Sequence, residues 1–136
     1  MEKIEWKPDY ETGSEGTDNQ HKRLVELFNR LHEGVEESHG EEEIGEYLKA
    51  LEDYAAFHFD FEEAHLKKLP EEIYYSHKEE HDQFRTISRK IYAEIHDKHN
   101  KPALYELILY LEEWINQHIQ FSDRFHMKNV IKERGQ

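Results

Sequence analysis

Residues 44–62 read IGEYLKALEDYAAFHFDFE, and this stretch decides the fold of the chain. The positions expected to be buried recur at alternating spacings of four and three residues, which is the repeat of an α-helix with one inward-facing stripe. The stripe consists of Ile44, Leu48, Leu51, Ala55, His58 and Glu62. Its last two members are polar, so this helix carries a histidine and a carboxylate into the core at one end.

Three further segments show helical spacing, and breaks at residues 38–40, at Pro70 and at residues 100–102 separate the four helices. Asp18 is expected to be the N-cap of the first helix. The inward stripes are His21, Leu24, Leu27/Phe28, Leu31 and Val35 in the first helix, His77, His81, Phe84, Ile87/Ser88, Ile91 and Ile95 in the third, and Leu104, Leu107/Ile108, Leu111, Ile115 and His118 in the fourth.

Short connections make successive helices antiparallel. The sequence therefore predicts an all-α fold, an antiparallel up-down-up-down four-helix bundle with an irregular N-terminal arm. One domain spans residues 1–136, with the arm at 1–17, the bundle at 18–123 and a C-terminal extension at 124–136. Trp6 and Tyr10 are expected to anchor the arm.

Composition excludes several classes of function. The chain has no cysteine, which rules out disulfides, thiolate metal sites and cysteine nucleophiles. The formal charge of −13 argues against nucleic acid as a partner. No apolar run approaches the roughly 20 residues of a membrane span, and no signal-peptide core is present. We therefore expect a cytoplasmic protein that contacts neither nucleic acid nor membrane.

The inward histidines fall at one end of the bundle. The start of the first helix, the end of the second, the start of the third and the end of the fourth all lie at the same end when the topology alternates. The candidate ligands there are His21, His58, Glu62, His77, His81 and His118, with Asp123 close behind. The alternative is a layer of ordinary core histidines and capping carboxylates, but that many buried polar groups are costly without a cation. The sequence thus predicts a two-metal site, for which ligand type alone allows iron, manganese or zinc.

One spacing constrains the fourth helix. His118 and Asp123 are five residues apart, which is about 140° around an ideal α-helix and places them on different faces. Both reach one site only if the helix widens or ends there, as π-type turns allow. The other histidines are expected on the surface: His32, His39, His65, His96, His99 and His126.

The motifs resemble those of the hemerythrin family, in particular of its single-domain bacterial members. They are an arm with Trp6, Tyr10 and Gly13, D-x-Q-H at 18–21, H-F-x-x-E-E at 58–63, H-x-x-x-H at 77–81 and W-x-x-x-H-I-x-x-x-D at 114–123. The resemblance covers nearly the whole chain. All seven ligand positions of the family pattern hold the expected residue types.

This resemblance implies two iron ions, cycling between Fe²⁺ and Fe³⁺, with an oxo or hydroxo bridge. One iron would be held by His77, His81 and His118, and the other by His21 and His58. Glu62 and Asp123 would bridge them. O2 would bind end-on to the iron with two histidines, as hydroperoxide. The expected lining of that O2 pocket is Leu24, Phe59, Trp114, Ile115 and Ile119.

The expected function is reversible O2 binding for storage, delivery or sensing by a monomer, without enzymatic turnover. NO and azide-like anions are expected as further ligands. Two alternatives from other classes stay open: a di-iron peroxidase, oxidase or NO-handling enzyme, and a regulatory module that responds to O2 or iron. A plain helical bundle without metal is the remaining alternative.

Overall fold

Four α-helices form the fold, and the computed structural model describes residues 4–96 and 101–123, the last three by their backbone alone. The helices are α1 (Glu15–Glu36), α2 (Glu41–Leu66), α3 (Glu71–Ile95) and α4 (Lys101–Gln117). A π-helical segment, His118–Asp123, continues α4. Helix α1 packs against α2 and α4, and α3 packs against the same two helices. The predicted all-α four-helix bundle is confirmed. The C-terminal extension, His99 and the side chain of Asp123 lie outside the described residues.

The predicted stripes form the core because each helix is amphipathic and buries one face. Leu48, Leu51, Phe28, Ile91 and Ile108 are among the side chains that are completely covered. The opposite faces are strongly charged. Within the described ranges, no helix is both long enough and apolar enough to cross a membrane.

Helix α1 begins earlier than expected, and Asp18 is not its N-cap. Ser14 holds that position, and the backbone N–H of Thr17 donates to its hydroxyl oxygen at 3.4 Å. Asp18 instead lies within the first turns, where the backbone N–H and the hydroxyl of Thr12 each donate to its Oδ1 at 2.8 Å. The carboxylate therefore ties the end of the arm to α1.

The arm is anchored on α1 by one asparagine. The backbone N–H of Ile4 donates to Asn29 Oδ1, and Asn29 Nδ2 donates to the carbonyl of Ile4, both at 2.9 Å. Trp6 and Tyr10 meet edge to face with ring centroids 5.4 Å apart. Tyr10 is buried, and Trp6 packs against the same core. The arm therefore covers part of the bundle rather than extending from it.

His32 is buried, which contradicts the expectation that it lies on the surface. Only 1% of the residue is exposed, and its ring lies 5.9 Å from that of Phe28 one turn earlier. Its Nε2 is 3.3 Å from a carboxylate oxygen of Glu36. The position follows Phe28 by four residues, so the helical repeat already placed it beside the inward stripe. It lies one residue after Leu31, well along α1 from His21.

Two glycines give a paired test of how α1 and α2 pack. A Cβ at Gly34 would meet the ring of Tyr47 at 2.8 Å, whereas a Cβ at Gly45 would meet nothing within 4 Å. Gly45→Ala is expected to raise the free energy of unfolding by about 0.5–1 kcal/mol through helix propensity. Gly34→Ala is expected to lower it by about 1–3 kcal/mol because the ring must move. Urea denaturation of both variants measures the difference, and equal stability would contradict the close approach of the helices.

Candidate metal centre

Six of the seven predicted ligands have described side chains, and the structure brings these six together. His21 comes from α1, His58 and Glu62 from α2, and His77 and His81 from α3. His118 is the first residue of the π-helical segment after α4. All six are buried, five of them completely. They form one layer at one end of the bundle, since the chain reverses direction between successive helices.

The carboxylate of Glu62 lies at the middle of this layer. Its Oε1 is 2.8 Å from Nε2 of His58, 3.1 Å from Nε2 of His118 and 3.3 Å from Nε2 of His81. Its Oε2 is 3.4 Å from Nε2 of His77. A single buried carboxylate therefore has four imidazole nitrogens around it, contributed by three different segments.

The ligand atoms divide into two overlapping groups. One consists of His21, His58, Glu62 and His118, and the other of Glu62, His77, His81 and His118. Within each group the donor atoms lie within 4.8 Å of one another. Glu62 and His118 belong to both groups. The arrangement offers two adjacent positions for a cation, joined by a shared carboxylate.

Two of the imidazoles are oriented by partners outside the layer. Nδ1 of His58 donates to Gln20 Oε1 at 2.8 Å. Nδ1 of His81 donates to Glu63 Oε2 at 2.9 Å. Because both partners accept, the proton of each ring lies on Nδ1 and the lone pair lies on Nε2, which faces inward. Metal-ligating histidines commonly have such an outer partner.

This geometry is more favourable with a bound cation than without one. With the protons on Nδ1, the Nε2 lone pairs of His58 and His81 face Oε1 of Glu62, which is also an acceptor. Acceptors 2.8 and 3.3 Å apart repel each other unless a proton or a metal ion lies between them. Imidazole nitrogen together with carboxylate oxygen suits a divalent or trivalent first-row metal. The residues present therefore fit a metal centre.

A family model extends this observation to most of the chain. Residues 12–125 match the model described as "Hemerythrin HHE cation binding domain". The chain belongs to the hemerythrin family. The match includes every ligand position of the layer and ends just beyond Asp123.

Relatives of this hemerythrin-family chain agree with that assignment. It is 30% identical to a bacteriohemerythrin of Pseudomonas aeruginosa (strain LESB58), over all of this chain and 92% of that protein. It is 29% identical to a bacteriohemerythrin of Clostridium acetobutylicum, over 88% of this chain and 95% of that protein. A crystal structure of wild-type hemerythrin superposes with a TM-score of 0.77 at 26% identity, covering 90% of this chain and 94% of that one.

The fourth helix widens at His118, which is one of the two outcomes that the sequence allowed. The segment His118–Asp123 is π-helical, so its hydrogen bonds connect residues five apart rather than four. That geometry returns residue 123 toward the face of residue 118. The backbone of Asp123 is thus at the end of the widened turn, while its side chain belongs to the part of the chain that is not described.

Two aromatic residues of the predicted O2 pocket stack on ligand rings. Phe59 lies parallel to His81, with centroids 4.0 Å apart and planes 12° apart. Trp114 lies on His118 at 4.6 Å and 13°. The two rings therefore cover His81 and His118, which the family resemblance assigns to the iron with three histidines. The aliphatic members of the predicted pocket, Leu24, Ile115 and Ile119, are buried in the main core.

The sequence did not reveal the outer partners of the layer. Gln20 precedes His21, and Glu63 follows Glu62, so both lie inside the recognised motifs. Glu80 also lies near the layer, with its Oε2 3.9 Å from Nδ1 of His77 and 3.7 Å from Nδ1 of His118, which is beyond hydrogen-bond distance. A polar residue beside His21, Glu62 and His81 was the available signal. Spacing alone did not show which ring each would orient.

Proposed function

We propose that this chain binds O2 reversibly at a non-haem di-iron centre, for storage, delivery or sensing. The observation that carries the proposal is the buried Glu62 carboxylate with imidazole nitrogens at 2.8–3.4 Å on several sides. In this proposal, one iron would be held by His77, His81 and His118, and the other by His21 and His58. Glu62 and Asp123 would supply carboxylates shared by the two. The two irons would supply the electrons for reversible O2 binding.

The donor set favours binding over oxidation of a substrate. It has five imidazoles and two carboxylates, whereas carboxylate-rich di-iron sites use a glutamate from each of two helices and two Glu-x-x-His motifs. Fewer anionic ligands stabilise high-valent iron less. Apolar side chains also surround the site, because Phe59, Ile115 and Ile119 beside the candidate ligands are almost completely buried. Exclusion of water would keep bound O2 from leaving the site as peroxide, which would leave the iron oxidised.

Metal analysis and spectroscopy test the proposal directly. Protein purified from iron-replete cells is expected to contain two irons per chain. Visible spectra of the anaerobically reduced and the air-exposed protein should interconvert over several cycles. A folded, colourless protein that takes up no iron would overturn the proposal.

A second candidate, turnover as a di-iron peroxidase or oxidase, is favoured by one surface feature. A groove of about 710 Å³ between α3 and α4 is lined by Trp114, Tyr110 and Glu113. Trp114 is the ring stacked on His118, so a reductant in the groove would be one aromatic ring from the metal layer. Steady consumption of peroxide with an added reductant would support the enzyme, and its absence would favour O2 binding alone.

Removing the outer partner of His81 is expected to weaken metal binding without unfolding the bundle. Glu63→Ala deletes the acceptor that holds Nδ1 of His81, so metal affinity should fall about 10–100-fold. Glu63→Gln retains an acceptor oxygen and should restore part of the affinity. Competition with a chelator measures the affinity of each variant. Glu79→Ala, at an exposed position near His77, is the control and should bind like wild type.

A further inference from the structure

A second cavity lies on the outer side of the bundle, between α2 and α3, and the metal centre does not use it. Its volume is about 260 Å³. Helix α3 contributes Arg85, Ser88 and Arg89 to its wall. These residues are one to four positions apart, so they lie on neighbouring parts of the helix surface. We refer to this cavity as the arginine cleft.

The other walls of the arginine cleft are apolar. Phe59 and Phe84 line it and meet edge to face at 5.3 Å. Ala55 and Ala56 of α2 complete this side, and their small side chains leave the space open. Phe59 and Phe84 are 1% and 2% exposed, so they form the floor of the cleft, and two guanidinium groups lie at its rim.

The hydroxyl of Ser88 indicates that the cleft accepts a ligand. Ser88 is 1% exposed, and its Oγ has no hydrogen-bond partner within the described part of the chain. A buried hydroxyl without a partner is unfavourable, since it loses water without gaining a replacement. An acceptor bound in the cleft would satisfy it.

The charges of the cleft are available to an anion. Arg89 is exposed and has no ion pair among the residues described. Among the described residues, Arg85 pairs only with Asp82, at 2.8 Å between two partly exposed side chains, and its Cζ lies 5.3 Å from the centre of the Phe59 ring. Glu52 also lines the cleft, but it forms no ion pair with either arginine in the described ranges. Exposed pairs such as Arg85–Asp82 are weak and readily exchanged.

We propose that the arginine cleft binds a small organic acid with an apolar body. Arg89, Arg85 and the Ser88 hydroxyl would hold the carboxylate, and the body would lie against Phe59 and Phe84. The volume is slightly below the usual range for ligand pockets, about 300–1,000 Å³, so the ligand is about the size of one ring. Phe59 lines the cleft and also stacks on His81, so the bound acid would lie one aromatic ring away from the candidate metal layer.

Calorimetric titration with benzoate tests this proposal on the protein as purified with its metal. Wild type should bind one benzoate per chain, and neutral benzamide should not bind. Arg89→Gln and Ser88→Ala should each weaken benzoate binding about tenfold, as expected for loss of a charge-assisted or buried hydrogen bond. Arg23→Gln is the matched control, because Arg23 forms an exposed pair with Glu26 at the same three-residue spacing as Arg85 and Asp82. It should bind like wild type.

The titration must also separate the arginine cleft from the metal itself, which could take a carboxylate. Titrations are therefore repeated with saturating azide, and visible spectra are recorded throughout. Retained benzoate binding without azide displacement supports the cleft. Absence of saturable binding, equal binding by Arg89→Gln, or displacement by azide would each overturn it. Circular dichroism of Arg89→Gln and Ser88→Ala should match wild type, so that lost affinity reports on the ligand and not on folding.

Discussion

Glu62→Ala is expected to leave each chain with fewer than two metal ions. The wild-type carboxylate lies 2.8–3.4 Å from four imidazole nitrogens and belongs to both groups of donor atoms. Without it, two cations would face each other across neutral imidazoles with one fewer negative charge between them. Atomic absorption of the purified variant measures the loss. Two irons with unchanged O2 binding would rule out the bridging role.

Stability should change as well. Removing one partner from a buried charged cluster typically costs about 3–5 kcal/mol, so thermal unfolding of Glu62→Ala should occur at a clearly lower temperature than that of wild type. Glu46→Ala, at an exposed position of the same helix, should cost little and retain both metals. His65→Ala is the histidine control, since its Nδ1 bonds the carbonyl of Phe61 rather than the metal layer. If Glu62→Ala does not fold, Glu62→Gln preserves the side-chain volume and still removes the charge.

The sequence predicted the bundle and the meeting of the six candidate ligands whose side chains are described, for a simple physical reason. Stripes such as Leu48, Leu51 and Ala55 repeat with the period of the helix, and short connections force adjacent helices to run in opposite directions. His58 and Glu62 continue the same stripe, so their burial followed from the burial of the leucines. A change in the fourth helix at His118 was also predictable, because no regular helix presents residues 118 and 123 on one face. The sequence left open whether the helix widens or ends there, and it widens.

Local competition between similar groups explains what the sequence left undetermined. Ser14, Thr17 and Asp18 are all favourable caps, and only the fold of the arm decides that Asp18 bonds Thr12. The burial of His32, in contrast, could have been predicted, since its spacing of four residues from Phe28 places it beside the inward face of the helix. A polar residue beside an apolar stripe is either exposed or buried according to how far the neighbouring helix reaches. In this bundle His32 is covered, and only 1% of the residue is exposed.

The ring orientations were beyond any pattern in the sequence. Gln20 and Glu63 are adjacent to ligands along the chain, yet each bonds a histidine from a different helix. Such contacts depend on the rotation of helices about their axes and on side-chain rotamers. Both are set by packing of the whole core. The motif shows that a polar neighbour is present, and the fold determines which imidazole it orients.

Ile119→Ala is expected to accelerate autoxidation of the iron while both metals stay bound. Ile119 is 1% exposed and directly follows His118 in the π-helical segment. Truncation to alanine would open a space beside the ligand layer that water can enter, and water promotes loss of bound O2 in reduced form. Decay of the O2-bound visible spectrum in air gives the rate. Metal content is measured on the same sample.

Comparison with Ile91→Ala separates a pocket role from simple packing. Ile91 is completely buried on α3, more than two turns after His81 and therefore away from the ligand layer. Both truncations should lower the free energy of unfolding by about 2–5 kcal/mol, because each leaves a cavity in the core. Only Ile119→Ala should change the oxidation rate of the folded protein, since only its cavity adjoins the metal. If both variants oxidise at the wild-type rate, Ile119 contributes to the core alone, and the barrier to water must be provided by other members of the predicted pocket.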